Sequence, residues 1–286
     1  MKAYLTTTAR TTIRHSTPAM QTILLIAGFL VFVSGVQLFV LTDFTADYFA
    51  WTIKPPLTAA FLGAAYWSSC VLELFAARKR LWSETRIAIP AVLIFTALTL
   101  IVTLVHLDRF HFNRPELLPR LAAWVWLIIY AIVPPLLAVV LWAQIREPGQ
   151  DQPRTALLPW WVRAILLMHA IVMGVFGIAL LLVPLAVAPI WPWEITPLTG
   201  RAIGAWLFAL GFAAAQAAYE NDWGRVQVAT MTYILFASLE LVALARYPND
   251  IFWDQPTIWV MIGILLSMLF GGLYGWFQAA RHMRVE

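Results

Sequence analysis

Eight continuous apolar runs, each close to the length needed to cross a bilayer, constrain this chain more than any other feature. They cover Met20–Thr42, Leu57–Ala77, Ile87–Leu107, Leu121–Ala143, Val162–Val187, Gly200–Tyr219, Val226–Ala245 and Ile258–Gln278. A hydrocarbon layer of about 30 Å needs about 20 apolar residues per helix. The runs do not alternate apolar with polar, so they read as helices rather than barrel strands. Of the residues, 62% are hydrophobic and 12% are charged. A soluble domain carries about a quarter charged residues, so this chain has too little polar surface to cover a core in water. The fifteen Trp suit the membrane–water boundary, where an amphipathic ring is favoured. The expected fold is an all-α, polytopic membrane bundle of about eight transmembrane helices.

The chain also repeats. At a shift of 141, Pro56-Leu57-Thr58 falls on Pro197-Leu198-Thr199 and Gly63-Ala64 on Gly204-Ala205. Trp82 falls on Trp223, Ala88 on Ala229, Phe95 on Phe236 and Pro115 on Pro256. The expected organisation is a basic tail (1–19), a four-helix repeat (20–143), a linker (144–161), a second four-helix repeat (162–278) and a short tail (279–286). Four spans is an even number, so the repeats are expected to be parallel, with a pseudo-axis along the membrane normal.

Net charge is +4. The Lys and Arg sit in short loops beside apolar runs, where topology explains them better than nucleic acid does. Thirteen lie in loops on the N-terminal side, among them Lys2, Arg10, Arg14, Arg86, Arg225 and Arg284, against six on the other. The positive-inside rule then puts both termini in the cytoplasm of a cell-membrane protein. The first nineteen residues are Thr-rich and free of acid, as in a transit peptide, but read more simply as a tail before an uncleaved signal anchor. The single Cys70 excludes an intrachain disulfide and a Cys-rich metal site.

Several features are candidates for function. The segments Tyr48–Thr58 and Pro189–Thr199 join aromatics to a Pro-Leu-Thr helix start. They suit either a ligand rim or an aromatic anchor with a capped helix. His106, Asp108 and His111 could offer imidazole and carboxylate to a divalent metal, or form a hydrogen-bonded loop. Ionisable groups inside spans are costly and default to function. Glu73 and His169 fall toward the cytoplasmic leaflet, and Arg201, Glu240 and His106 toward the outer one. Glu73 with His169, and Arg201 with Glu240, are expected as pairs. Alternatively, Glu73 snorkels toward Arg78 and Lys79. Haem is disfavoured, because His106 and His169 lie toward opposite leaflets. Pro134-Pro135 should kink the fourth span. Gly271 with Gly275, Ala59 with Gly63, and Gly200 with Gly204 form small faces for close packing, with the second and sixth spans meeting at the centre.

The segments Phe49-Ala50-Trp51-Thr52-Ile53-Lys54-Pro55-Pro56-Leu57-Thr58 and His106-Leu107-Asp108-Arg109-Phe110-His111 resemble those of bacterial multi-pass membrane proteins to which no activity is assigned. The resemblance implies a membrane location and nothing about chemistry. No phosphate loop, nucleophile elbow or His-Glu-x-x-His motif is present. The leading expectation is a protein that binds or moves a small amphipathic molecule or ion between its halves, with Glu73, His169, Arg201 and Glu240 as polar lining. On that expectation Glu240→Gln abolishes binding or flux. The alternatives are a non-catalytic subunit that works with membrane protein partners, and a metal-dependent membrane enzyme.

Overall fold

The computed structural model describes residues 12–282. The basic residues Lys2, Arg10 and Arg284 lie outside that range. Eight principal helices follow in order: α1 (Pro18–Gly35, continued by a π-helical turn over Val36–Val40), α2 (Pro56–Arg78), α3 (Ile89–Val105), α4 (Leu117–Ile145), α5 (Trp160–Leu182), α6 (Pro197–Glu220), α7 (Trp223–Arg246) and α8 (Pro256–His282). Among the described residues there is no strand, only isolated bridges.

Seven of the eight are long and apolar enough to cross a membrane. The exception is α3, a 17-residue apolar helix. Its length is about 26 Å at 1.5 Å per residue, at the short end of what spans a bilayer. The expected third span loses residues at both ends. The chain first makes a one-turn helix over Trp82–Thr85, and after Val105 it tightens into a 3₁₀ turn over Leu107–Arg109. α8 runs on to His282, so residues 279–282, expected as tail, are helical. α4 continues through Pro134 and Pro135 as one helix.

The helices form an inner and an outer set. In α2, 78% of the most apolar window is buried, against 22% in α4 and α5. The outer helices present Phe29 and Phe32, Ile128 and Ile132, Ile171 and Val175, and Phe270 outward. Large apolar side chains on that surface suit lipid and would be costly in water. The inner helices α2 and α6 are built on small residues. Gly63 and Gly204 let neighbouring backbones approach: a Cβ on Gly63 would lie 2.4 Å from the Phe39 amide nitrogen of α1, and one on Gly204 would lie 2.9 Å from the Gly177 carbonyl oxygen of α5.

The two small faces therefore receive α1 and α5. They do not pack α2 on α6, which touch only slightly. In each half the first helix packs on the second and the third on the fourth. The halves then cross: α2 packs on α7 and α6 on α3. At the face where the described ends lie (the terminal face), the contacts follow the same exchange. Lys79 pairs with Glu84 and bonds Gln227; at shifted positions Glu220 pairs with Arg225 and takes a bidentate bond from Arg86. At the opposite face, Arg246 at the end of α7 donates to the Phe39 carbonyl oxygen in the π turn of α1 (2.7 Å). His106 at the end of α3 is tied through Arg201 to the Leu181 carbonyl oxygen of α5.

The two Pro-Leu-Thr starts are capped differently. Thr196 and Thr199 form a capping box on α6. On α2, Asp250 accepts from the Leu57 amide, and Thr58 accepts from the Trp193 indole (2.9 Å). The second half thus caps a helix of the first. At the terminal face, residues 12–16 bridge to Leu81 and Gln150, and Asp222 accepts from the amides of Thr155, Ala156 and Arg225.

Candidate functional site

A chamber with a free volume of about 90 Å³ lies between the halves, in the part of the membrane layer nearer the terminal face. The first half supplies Ser68 and Ser69 from α2 and Val92 and Phe95 from α3. The second supplies His169 from α5, Trp206, Ala213 and Ala214 from α6, Tyr233 from α7, and Ser267 and Gly271 from α8. Phe95 and Trp206 stack across the boundary between halves with centroids 3.7 Å apart, closing the chamber toward the opposite face.

The walls are apolar with a few convergent polar groups, the usual character of a small-molecule site. His169 Nε2 and Ser267 Oγ are 2.8 Å apart. His169 is 1% exposed, and its Nδ1 has no partner among the described residues. The Tyr233 hydroxyl, also without a partner, belongs to a ring 5.7 Å from the imidazole. On the facing wall Ser69 Oγ donates to Glu73 Oε1 (3.1 Å), and Glu73 Oε2 is unpartnered. Buried polar groups normally have partners, and each orphan marks a place where the fold holds unused hydrogen-bonding capacity.

The expected pairs do not form. Glu73 bonds Ser69, and His169 bonds Ser267 on another helix. Glu73 is 1% exposed, so it does not snorkel; Lys79 is engaged by Glu84 and Gln227. Arg201 donates to the Leu181 carbonyl oxygen and to His106 Nε2 (2.8 Å), not to Glu240. Glu240 is buried with both carboxyl oxygens unpartnered. Of the four residues expected as polar lining, only His169 lines the chamber; Glu73 sits behind Ser69, and Arg201 and Glu240 lie elsewhere. On the small face of α8, Gly275 packs closely as expected, but its partner on that face is Gly272 rather than Gly271. Gly272 and Gly275 meet Thr230 of α7, whereas Gly271 borders open space.

His106, Asp108 and His111 share an open basin at the opposite face with Arg109 and Arg114. They do not converge on a metal, and no such cluster exists among the described residues. Their lone pairs are committed elsewhere. His111 Nδ1 lies 3.0 Å from the Phe49 carbonyl oxygen, which can only accept, so Nδ1 carries the proton and Nε2 faces the Thr52 hydroxyl (3.0 Å). His106 Nε2 accepts from Arg201, and Asp108 pairs with Arg109 in the open. Burial and then the Arg201 guanidinium lower the pKa of His106; for His111 burial is the main cause.

The residues that sequence reasoning missed are Tyr233, Ser267 and Ser69. Ser and Tyr are frequent inside spans, and only the packing brings these three to one space. The alanine run of α6, Ala213-Ala214-Ala215, was a legible sign of space beside His169.

Fold and site together define a multi-pass integral membrane protein of the all-α class. The chain matches no known family model, no curated protein and no solved structure.

Proposed function

We propose that this protein binds a small amphipathic molecule in the chamber between its halves, or carries it across the membrane, and that the halves are a parallel duplication of one four-helix unit. The observation that carries the first reading is the meeting of otherwise apolar walls from both halves around His169, Ser267, Tyr233 and the Ser69–Glu73 pair. The duplication is supported by the exchanged contacts of α2 with α7 and α6 with α3, and by the matched pairs Lys79–Glu84 and Glu220–Arg225. A site between two repeats is where parallel-repeat transporters place substrate, although there it lies near the membrane midplane and here it is nearer the terminal face. The loop charges favour a cell-membrane protein with both termini cytoplasmic. Glu73, through Ser69, and His169 belong to the chamber in this reading; Arg201 ties α6 to α5 and to the end of α3, and Glu240 lies outside the chamber.

Native mass spectrometry of protein extracted in mild detergent tests the reading. The expected result is a retained molecule of defined mass that is lost in Ala214→Leu, which fills the chamber. Protein that carries no such molecule, or carries it equally well in the filled variant, overturns it. Co-purification with a second chain and no ligand points instead to a subunit role.

A further inference from the structure

α5 and α8 hardly touch along their lengths. They are held at three levels: Trp161 against Tyr274 (centroids 5.1 Å apart) near the terminal face, His169 with Ser267 in the interior, and, near the opposite face, Thr257 of α8 donating to the Ile190 carbonyl oxygen in the turn beyond α5. Between the last two levels lies a second space of about 300 Å³, a cleft lined by Val172, Met173 and Phe176 of α5 and by Val260, Met261 and Ile264 of α8. Both spaces have α5 and α8 among their walls but share no lining residue; His169 and Ser267 line the chamber one helical turn from Val172 and Ile264 of the cleft, so the His169–Ser267 bond stands between the two. Exposed Ile171, Val175 and Phe270 continue the same lipid-facing surface.

We infer that the ligand is a long-chain amphiphile taken from the lipid layer through the α5–α8 seam, with its polar group at His169, Ser267 and Tyr233 and its chain in the cleft beyond. This rests on the chamber reading and names its ligand class. The volumes divide the molecule in this way. The chamber alone is well below the roughly 300–1,000 Å³ of common ligand sites, whereas the cleft reaches that range. The polar groups complement a hydroxyl, amine or carbonyl. The cleft offers a chain no hydrogen-bonding requirement and removes it from nothing more favourable than lipid. Selection between molecules therefore falls to the polar end, where an unmatched group in apolar surroundings is penalised.

The test uses the full chain in membrane vesicles and two photoreactive probes, a long-chain primary alcohol and the alkane of equal length. Each carries a diazirine near the chain end. Labelled peptides are mapped by mass spectrometry. Labelling is expected to concentrate on residues 172–176 and 260–265 and to favour the alcohol. Ile264→Trp, which fills the cleft, is expected to reduce it roughly tenfold, since occupied core space does not admit a second group. Val172→Trp repeats the test if the first variant fails to fold. Ser267→Ala is expected to reduce the alcohol's advantage by about two- to tenfold, the worth of one hydrogen bond, while alkane labelling stays constant. Labelling spread evenly over α1, α4, α5 and α8, or unchanged by both cleft-filling variants, overturns the inference. If Ala214→Leu still expels a retained short molecule in that case, the chamber stands and only the long-chain class falls. If neither chamber nor cleft variants change any bound molecule, both readings fall.

Discussion

α1 with α2, and α5 with α6, meet through the same device and line their inner sides in opposite ways. In both pairs a glycine of the second helix receives the backbone of the first, Gly63 under Phe39 and Gly204 under Gly177 and Leu181. One turn or more away the side chains invert. In the first half Gly28 lies under Leu74 and Glu73, and a Cβ there would be 2.7 Å from a Leu74 methyl. At the shifted positions the second half has His169 on α5 and Ala214 and Ala215 on α6, with His169 and Ala214 both lining the chamber. The large side chain stands on the second helix in the first half and on the first helix in the second, and Ala214 of α6 lines the chamber. The close backbone contact is alike in the two pairs, and interiors tolerate few clashes there. Side-chain volume on the inner face differs, and here it separates a tightly packed α1–α2 contact from an α5–α6 contact that borders the chamber.

The largest expected break in this comparison is at the terminal face. Glu220 is held by two arginines, Arg86 and Arg225, with a side chain 2% exposed. Glu220→Ala leaves Arg86 with Asp151 and Arg225 with only the Gln152 carbonyl oxygen, and thermal unfolding in detergent should show a loss of about 3 kcal/mol, the low end for breaking a buried pair. The matched Lys79→Ala acts on a pair more than 20% exposed and should cost about 1 kcal/mol or less. Equal losses would mean that the two turns are equivalent despite their burial.

The glycine contacts come next. Gly63→Ala and Gly204→Ala should each destabilise by about 1–3 kcal/mol. Gly63 should suffer more, because its added carbon meets backbone at 2.4 Å rather than 2.9 Å. Gly174→Ala is the control. Nothing lies within 4 Å of its added carbon, so it should gain up to about 1 kcal/mol of helix propensity. A reversed order in the same melts would sink the claim that these glycines set the helix approach.

Filling the chamber separates stability from binding. Ala214→Leu should leave the melting temperature within a few degrees of wild type or raise it, and should remove the retained molecule seen by native mass spectrometry. A bulk gain in stability together with full ligand retention would show that the chamber is only a packing defect.

The smallest effect concerns pH. Burial holds the pKa of His111 below the ordinary histidine value. The unfolded chain therefore binds its proton more readily than the fold does. The stabilisation is fully present above the ordinary value, near 6.5, and is lost as pH falls through the lower folded value. Phe252 stands at the shifted position in the second half and does not titrate. Melting temperature should thus fall more steeply between pH 7 and pH 5 in wild type than in His111→Gln. Identical slopes would remove His111 as a source of acid sensitivity.

Sequence alone determined that the chain is helical, that it crosses a membrane repeatedly, and nearly where each span lies. Apolar run length is a one-dimensional property, and a bilayer imposes one thickness on every run. The same reasoning selected Glu73 and His169, because buried ionisable residues are rare enough to be conspicuous. Tertiary structure alone decided which of them meet. Side chains on different helices pair according to helix rotation and depth, which hydropathy does not encode. Arg201 turned to a carbonyl oxygen and an imidazole rather than to Glu240. Ser69, Tyr233 and Ser267, unremarkable in sequence, were gathered with His169 because small residues on α6 and an open α5–α8 seam left room between the halves.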